Sequence, residues 1–293
     1  MIARVLTPLA LVCAIVLQAQ ARDETRKFRY RPQKITIGTV YHYVKTNLDG
    51  THPEYVSTYV AARDQIESYK FHPNTQRAGL VIAWMDWETF SARRLESWQV
   101  FAGGEKKLFA TLSFLKPLMA TEVSIPATGR PTERTPIKHL PFHVYNFDLA
   151  SLNFAFRHLV DPRGRFVVGI ADPTFQESGP LFTYRGETEV SYAGEEVREG
   201  VLCRKYRIDG AGLANRGGHL WVDKRGGFFR DVEIALADNP DWHSFKFRLT
   251  SVERMTRAAW ERFMLSQLAP RQEQALLEAA VRSRARGASG PRR

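Results

Sequence analysis

The segment HLPFH sets His139 and His143 four residues apart. On a helix that spacing would bring two zinc ligands onto one face, as in H-E-x-x-H. Pro141 stands between them, the general-base Glu is missing, and neither a C-x-x-C pair nor a third histidine at a telling spacing accompanies them. His42, His72, His158, His219 and His243 are scattered, as surface or core histidines are. Asp86 is next to Trp87 and Asp223 is two residues past Trp221, each in an apolar run where a carboxyl is either a working acid or the polar face of a strand. Glu195 and Glu196 fall in the polar turn AGEEVREG and read as solvated. There is no G-x-S-x-G elbow. The G-x-G within GAGLANRGG lies between strands and opens no helix, so it is no phosphate cradle. Cys203, in VLCRKYRI, suits a buried, inert position. The sequence thus names no catalytic residue, no metal site and no cofactor. An exported hydrolase using His139, His143 or Asp223 is the third of three readings.

These residues sit on β-type elements. From about Lys34 to Phe114, short runs such as ITIGTVYHYVKTNL, EYVSTYVAA, LVIAWMDWETF and LFATLSFL are broken by turn signals roughly every ten residues, with no sustained helical period. That pattern predicts an antiparallel, mainly β fold. LVIAWMDW is apolar on both faces, with Leu80, Ile82 and Trp84 on one and Val81, Met85 and Trp87 on the other. Part of the sheet must therefore be covered on both sides. Tyr41 and Tyr43 share a strand face, as do Tyr55 and Tyr59.

Residues 126–142 hold four prolines and several charges and read as a connection. DLASLNFAFRHL follows as a helix over 148–159, with Asp148 as N-cap and Leu149, Leu152, Phe156 and Leu159 as one apolar stripe. Strands then resume. In GGHLWVDKRGGFFRDVEIAL, alternation after the turn groups Phe228, Arg230, Val232, Ile234 and Leu236 against Asp231 and Glu233. Before the turn it sets Leu220 and Val222 against His219, Trp221 and Asp223. Phe245, Phe247 and Leu249 alternate with Lys246 and Arg248, a strand with one wet face. Thr256 caps a second helix, RAAWERFMLSQL. Residues 268–293 read as a peripheral helix and a disordered basic tail, with five arginines in the last twelve residues. Residues 22–267 read as a single β domain, and two subdomains meeting near 126–142 are also compatible with the length.

The N-terminus carries Arg4, an apolar stretch from Val5 to Leu17, and Ala19-Gln20-Ala21. This is the layout of a cleavable signal peptide over residues 1–21, cut after Ala21, and predicts export to the periplasm. The apolar stretch is shorter than the ~20 residues of a spanning helix. Leu11-Val12 fit poorly as the small residues that a lipid-acylated Cys13 requires. Without residues 1–21 the formal charge of +11 falls by one, and Cys203 is the only thiol, so no internal disulfide supports the fold. In that compartment, and without a basic, aromatic-interleaved motif, the charge does not predict nucleic-acid binding. Peripheral contact with an anionic membrane surface and plain solubility both account for it.

The order of elements from about residue 145 to 253 resembles a periplasmic domain family of unknown function that is similar in fold to the Lol-type lipoprotein carriers. The matching positions are Asp148 and Ser151 of the helix, Arg157, and Trp221 and Asp223 of LWVD. The N-terminal half is similar only in being β-rich, and the spacer PTFQESGP and the C-terminal helices have no counterpart. The resemblance implies a curved antiparallel half-barrel with the helix across its concave side, in a hollow that in Lol-type carriers takes up acyl chains. Two functional readings follow. In the first, the half-barrel binds an acyl chain, lipid or lipoprotein without catalysis, with Tyr41, Trp84, Leu152, Phe156, Trp221 and Ile234 as lining residues. In the second, the helix fills the hollow and the protein is a structural or interaction module of the envelope with no small ligand.

Overall fold

The computed structural model describes residues 22–72, 75–174 and 178–268. The expected signal peptide and the basic C-terminal tail lie outside those residues. In chain order the elements are β1 (Arg22–Asp23), β2 (Thr39–Thr46), β3 (Glu54–Val60), β4 (Gln65–Phe71), β5 (Arg77–Asp86), β6 (Ser91–Phe101), β7 (Lys106–Leu115), β8 (Ala120–Ser124), β9 (Glu133–Pro136), β10 (His139–Leu140), β11 (Phe142–Val144) and α1 (Ala150–Phe156). There follow β12 (Arg165–Pro173), β13 (Phe182–Arg198), β14 (Val201–Asp209), β15 (Gly218–Asp223), β16 (Phe229–Ile234), β17 (Phe245–Arg254) and α2 (Arg257–Ser266).

The fold is mainly β, as expected, and is built on one sheet of fifteen strands in the order β11-β12-β13-β14-β15-β16-β17-β2-β3-β4-β5-β6-β7-β8-β9. Two antiparallel meanders, β2–β9 and β12–β17, make almost all of it. They join where β17 pairs with β2, which sets Phe247 opposite Lys45. Within the sheet only β11 and β12 run parallel. The Pro-rich 126–142 segment is more than a connection, because it supplies the edge strand β9. Proline is admissible there, since an edge strand leaves part of its ladder unpaired. The sheet curls far enough for this edge to meet β13. Glu133 Oε2 accepts from Leu181 N at 2.7 Å, and Thr135 Oγ1 donates to Phe182 O at 2.9 Å.

Both faces are covered, as LVIAWMDW predicts. Val81, Ala83 and Met85 face inward with the main core, while Ala78, Leu80 and Ile82 face the opposite way with α2. On the inner side α1 lies in the hollow with every residue buried. Phe156 meets Phe166, Tyr206 and Phe229 edge-on at 5.0–5.6 Å. Each large side chain so buried contributes about 1.5–3 kcal/mol.

α1 is shorter than the expected 148–159. Asp148 and Leu149 both take positive φ, and Asp148 does not cap the helix. Its carboxylate meets Lys45 and Lys70 instead. The hairpin also departs from simple alternation. Trp221 pairs with Asp231 but Val222 with Phe229, so Arg230 occupies a bulge and Phe229, rather than Phe228, joins Val232 and Ile234 in the core.

On the outer face α2 begins where predicted, with Thr256 Oγ1 accepting from Ala259 N at 3.2 Å. It is an integral layer. Trp260 is fully buried, stacks on Tyr59 at 5.2 Å and donates to Glu67 Oε2 at 2.8 Å. Tyr69 donates to Met264 O at 2.8 Å. Trp260→Ala should therefore cost about 3–5 kcal/mol in urea unfolding, the range for a large core aromatic. A loss below about 1 kcal/mol would show that α2 is only loosely attached.

Candidate functional site

The alternation that puts Tyr41 and Tyr43 on the concave face of β2 puts Lys45 there too, and Lys45 is 1% exposed. Its Nζ lies 2.8 Å from Asp238 Oδ2, 3.4 Å from Glu54 Oε2 and 3.6 Å from Asp148 Oδ1. The ammonium also sits over the Trp242 ring at 4.1 Å. Lys70 Nζ completes the cluster, 2.6 Å from Asp148 Oδ2 and 3.0 Å from Asn146 O. His72 Nε2 stands 3.3 Å from Glu54 Oε1. Glu54 faces Lys45 directly in the β2–β3 register. The cluster therefore joins β2, β3, β4, the entry to α1 and the loop between β16 and β17.

Burial opposes each of these charges, and the neighbours decide the outcome. The surrounding Asp238, Asp148 and Glu54 outweigh the burial of Lys45 and hold its pKa above the ordinary lysine value. Burial disfavours the Glu54 carboxylate, but the His72 hydrogen bond and the Lys70 and Lys45 charges bring its pKa down to about 2. Asp238 is pushed up to about 6 by burial and the adjacent Asp148 carboxylate, against the pull of Lys45. Beside this cluster, burial lifts Asp172 to about 7, although Asn146 N and Arg185 Nη1 bond to it at 2.7 and 2.9 Å. Arg185 is aimed there by a bulge, since Ile170 pairs with Gly186 and Ala171 with Tyr184.

Lys45, Glu54 and Lys70 of this cluster form the floor of a groove of about 230 Å³. Its walls are Val81, Leu95, Leu112 and Val123 of β5–β8, faced by Val144, Phe147 and Phe182. Phe109 stands at the rim, 39% exposed, at a bulge where Ser97 pairs with Ala110 and Trp98 with Leu108. Gly79 also lines the groove, and a Cβ placed on it would meet nothing within 4 Å. The groove is thus an open apolar cleft over a charged, internally compensated floor.

None of the residues expected to line the hollow borders this groove. Tyr41, Leu152 and Ile234 are packed in the core, and Phe156 faces a separate cavity at the far end of α1. Trp84 projects from the outer face under the Arg94 guanidinium at 5.6 Å. Trp221 is also on the outer face, between Arg198 at 4.2 Å and Lys205 at 5.1 Å. Outside the bulged hairpin, alternation identified the partners on each face but not which face was concave. Lys45 was missed because a lysine two places beyond Tyr43 reads as the wet end of a strand.

The histidine pair is also explained. His143 is buried with Nδ1 2.9 Å from Ser151 Oγ, and burial drives its pKa down to about 3. His139 lies on a different strand, and burial likewise lowers its pKa. Among the described residues no group of three or more potential ligands could hold a metal ion.

The fold is similar to several solved structures. One is a β-barrel-like protein of domain of unknown function DUF1849 from Brucella abortus, 10% identical, covering 74% of this chain and 98% of that one with a TM-score of 0.43. A second is a DUF1329 family protein from Desulfovibrio piger, 10% identical, covering 76% and 88% with a TM-score of 0.29. A third is a putative outer membrane lipoprotein-sorting protein domain from Vibrio parahaemolyticus, 9% identical, covering 78% and 90% with a TM-score of 0.27. No family model and no curated protein matches the chain.

Lys45→Met would leave Asp238, Asp148 and Glu54 without their shared cation. Breaking a buried pair in this way should cost about 3–5 kcal/mol at pH 7.5. Asp238 is raised to about 6 against the pull of Lys45, and without that pull it rises further, so as pH falls toward about 6 and below the folded variant gains protons ahead of the folded parent. The deficit of the variant should therefore shrink as pH falls through that window. Urea unfolding at pH 7.5 and 5.0 checks this, and an equal deficit at both would contradict it.

Proposed function

We propose that the protein is an exported envelope protein of the periplasm that takes one acyl chain of a lipid or lipoprotein into the groove between β5–β8 and the β11–α1 segment, without chemistry. The observation that carries this reading is the groove itself, an open cleft with apolar walls. Burial of a chain against Val81, Leu112 and Phe182 supplies the affinity, at roughly 0.8 kcal/mol per methylene. The volume of about 230 Å³ lies below the roughly 300–1,000 Å³ of a drug-sized site, which suits one chain better than a whole lipid.

The floor limits the chain. Lys45, Lys70, Glu54 and Asp148 already compensate one another, so a charged head gains little there and an apolar terminus loses by touching them. The head group belongs at the rim beside Phe109, where Lys106 and Lys107 are exposed. The excess of basic residues adds weak attraction to an anionic bilayer surface.

The test is native mass spectrometry of the protein purified from the envelope without detergent, followed by titration with saturated fatty acids of increasing length. Affinity should rise about threefold to fourfold per added methylene and stop rising once the chain reaches the charged floor. Gly79→Phe should abolish uptake with the fold intact, because its side chain enters open space. An apo mass that takes up no fatty acid or phospholipid would overturn the proposal in favour of an envelope interaction module whose hollow is filled by α1.

A further inference from the structure

A second cavity, of about 170 Å³, opens at the other end of α1. Six cationic side chains line it: Arg31 and Lys34 from the arm before β2, Arg157 just past α1, Arg204 of β14, and Lys224 and Arg225 of the β15–β16 turn. Among the described residues no carboxylate lines it, and of the six only Lys224 has a carboxylate partner, Glu195 Oε2 at 2.8 Å. Phe156, Leu159, Tyr206 and Val222 make the rest of the wall apolar. Of the six only Arg157 is buried, and the like charges gathered around it repel one another and it.

Arg157 shows that the surplus is not a solvated surface effect. It is 7% exposed, it has no ion pair among the described residues, and its Nε has no hydrogen-bond partner. Its Nη1 has only long contacts, 3.4 Å to Lys34 O and 3.4 Å to Tyr41 Oη. The guanidinium otherwise rests over the rings of Phe154 at 4.9 Å and Tyr41 at 5.6 Å. A buried guanidinium with an idle donor is a position that an anion completes. The approach is built in at the turn. Gly227 has φ +70°, and a Cβ on it would stand 3.0 Å from Arg157 Cα, so only glycine lets the turn close against Arg157.

We propose that this cavity is a binding site for a phosphate oxyanion, either free phosphate or the phosphate of a lipid head group. Five cations without a carboxylate partner exceed what the single charge of a carboxylate would neutralise. A phosphate brings up to two charges and several acceptor oxygens, and guanidinium forks match its geometry. The site is separate from the acyl groove, because α1 fills the hollow between them. It stands or falls independently of the acyl reading.

Calorimetry and thermal unfolding of the full chain at low ionic strength, with inorganic phosphate, glycerol 3-phosphate and phosphatidylglycerol vesicles as probes, provide the test. Binding should weaken at least tenfold in Arg204→Gln/Arg225→Gln, whose side chains are half-buried or exposed, and be unchanged in Gly79→Phe and in Lys106→Gln/Lys107→Gln. Preference for inorganic phosphate assigns a soluble anion, and preference for glycerol 3-phosphate or the vesicles assigns a lipid head group. Either supports the site. No binding or stabilisation by any of the three would overturn it, as would an equal loss in Lys106→Gln/Lys107→Gln, which would mark mere attraction to a basic chain.

Discussion

The pairing of β17 with β2 is the interaction on which the rest of the structure depends. Each meander alone would be an open sheet with exposed edges, and an unpaired edge is a template for aggregation. Their union makes one sheet long enough to curl around a core. It also brings residues about two hundred positions apart into contact. Tyr43 stacks on Phe247 at 4.1 Å, and Asn47 Oδ1 accepts from His243 N and Ser244 N at 2.9 and 3.1 Å. The loop that carries Asp238 is anchored beside Lys45 by this seam. The charged floor of the groove is thus a consequence of strand pairing.

The curled sheet creates a hollow, and α1 divides it. Seven residues of helix span about 10 Å, enough to fill the middle and leave a space at each end. The two spaces differ in chemistry because different strands line them. Beside the N-terminal end of α1, the walls come from β5–β8 with small and aliphatic side chains, over a cluster whose charges cancel. Beside the C-terminal end, the β14–β16 hairpins and the arm before β2 bring arginines and lysines together. The partial negative charge of a helix C-terminus favours cations there, although over so short a helix the effect is small.

The outer face is held differently. Trp221 lies among Arg198, Lys205 and their carboxylate partners, with Arg198 bonded to Asp231 and Lys205 to Glu196 at 3.0 Å. Trp260 of α2 seals the opposite part of the outer face against Tyr59 and Tyr69. The conspicuous aromatics therefore serve as clamps on the outside of the sheet more than as a lining for the hollow.

Much of the architecture follows from local rules. Turn signals every ten residues predict the meanders, the two-sided apolar pattern of LVIAWMDW predicts cover on both faces, and Thr256 predicts the start of α2. These properties depend on neighbours in sequence, so the sequence determined them. The sites depend on something else. Whether Trp84 or Val81 faces the hollow is set by the direction in which the sheet curls, and bulges at Phe109, Arg185 and Arg230 shift alternation by one residue. Asp148 leaves its capping position only because Lys45 and Lys70 arrive from two other strands. The tertiary structure alone decided these points, because long-range charge pairing and sheet curvature override the local preference of any single residue.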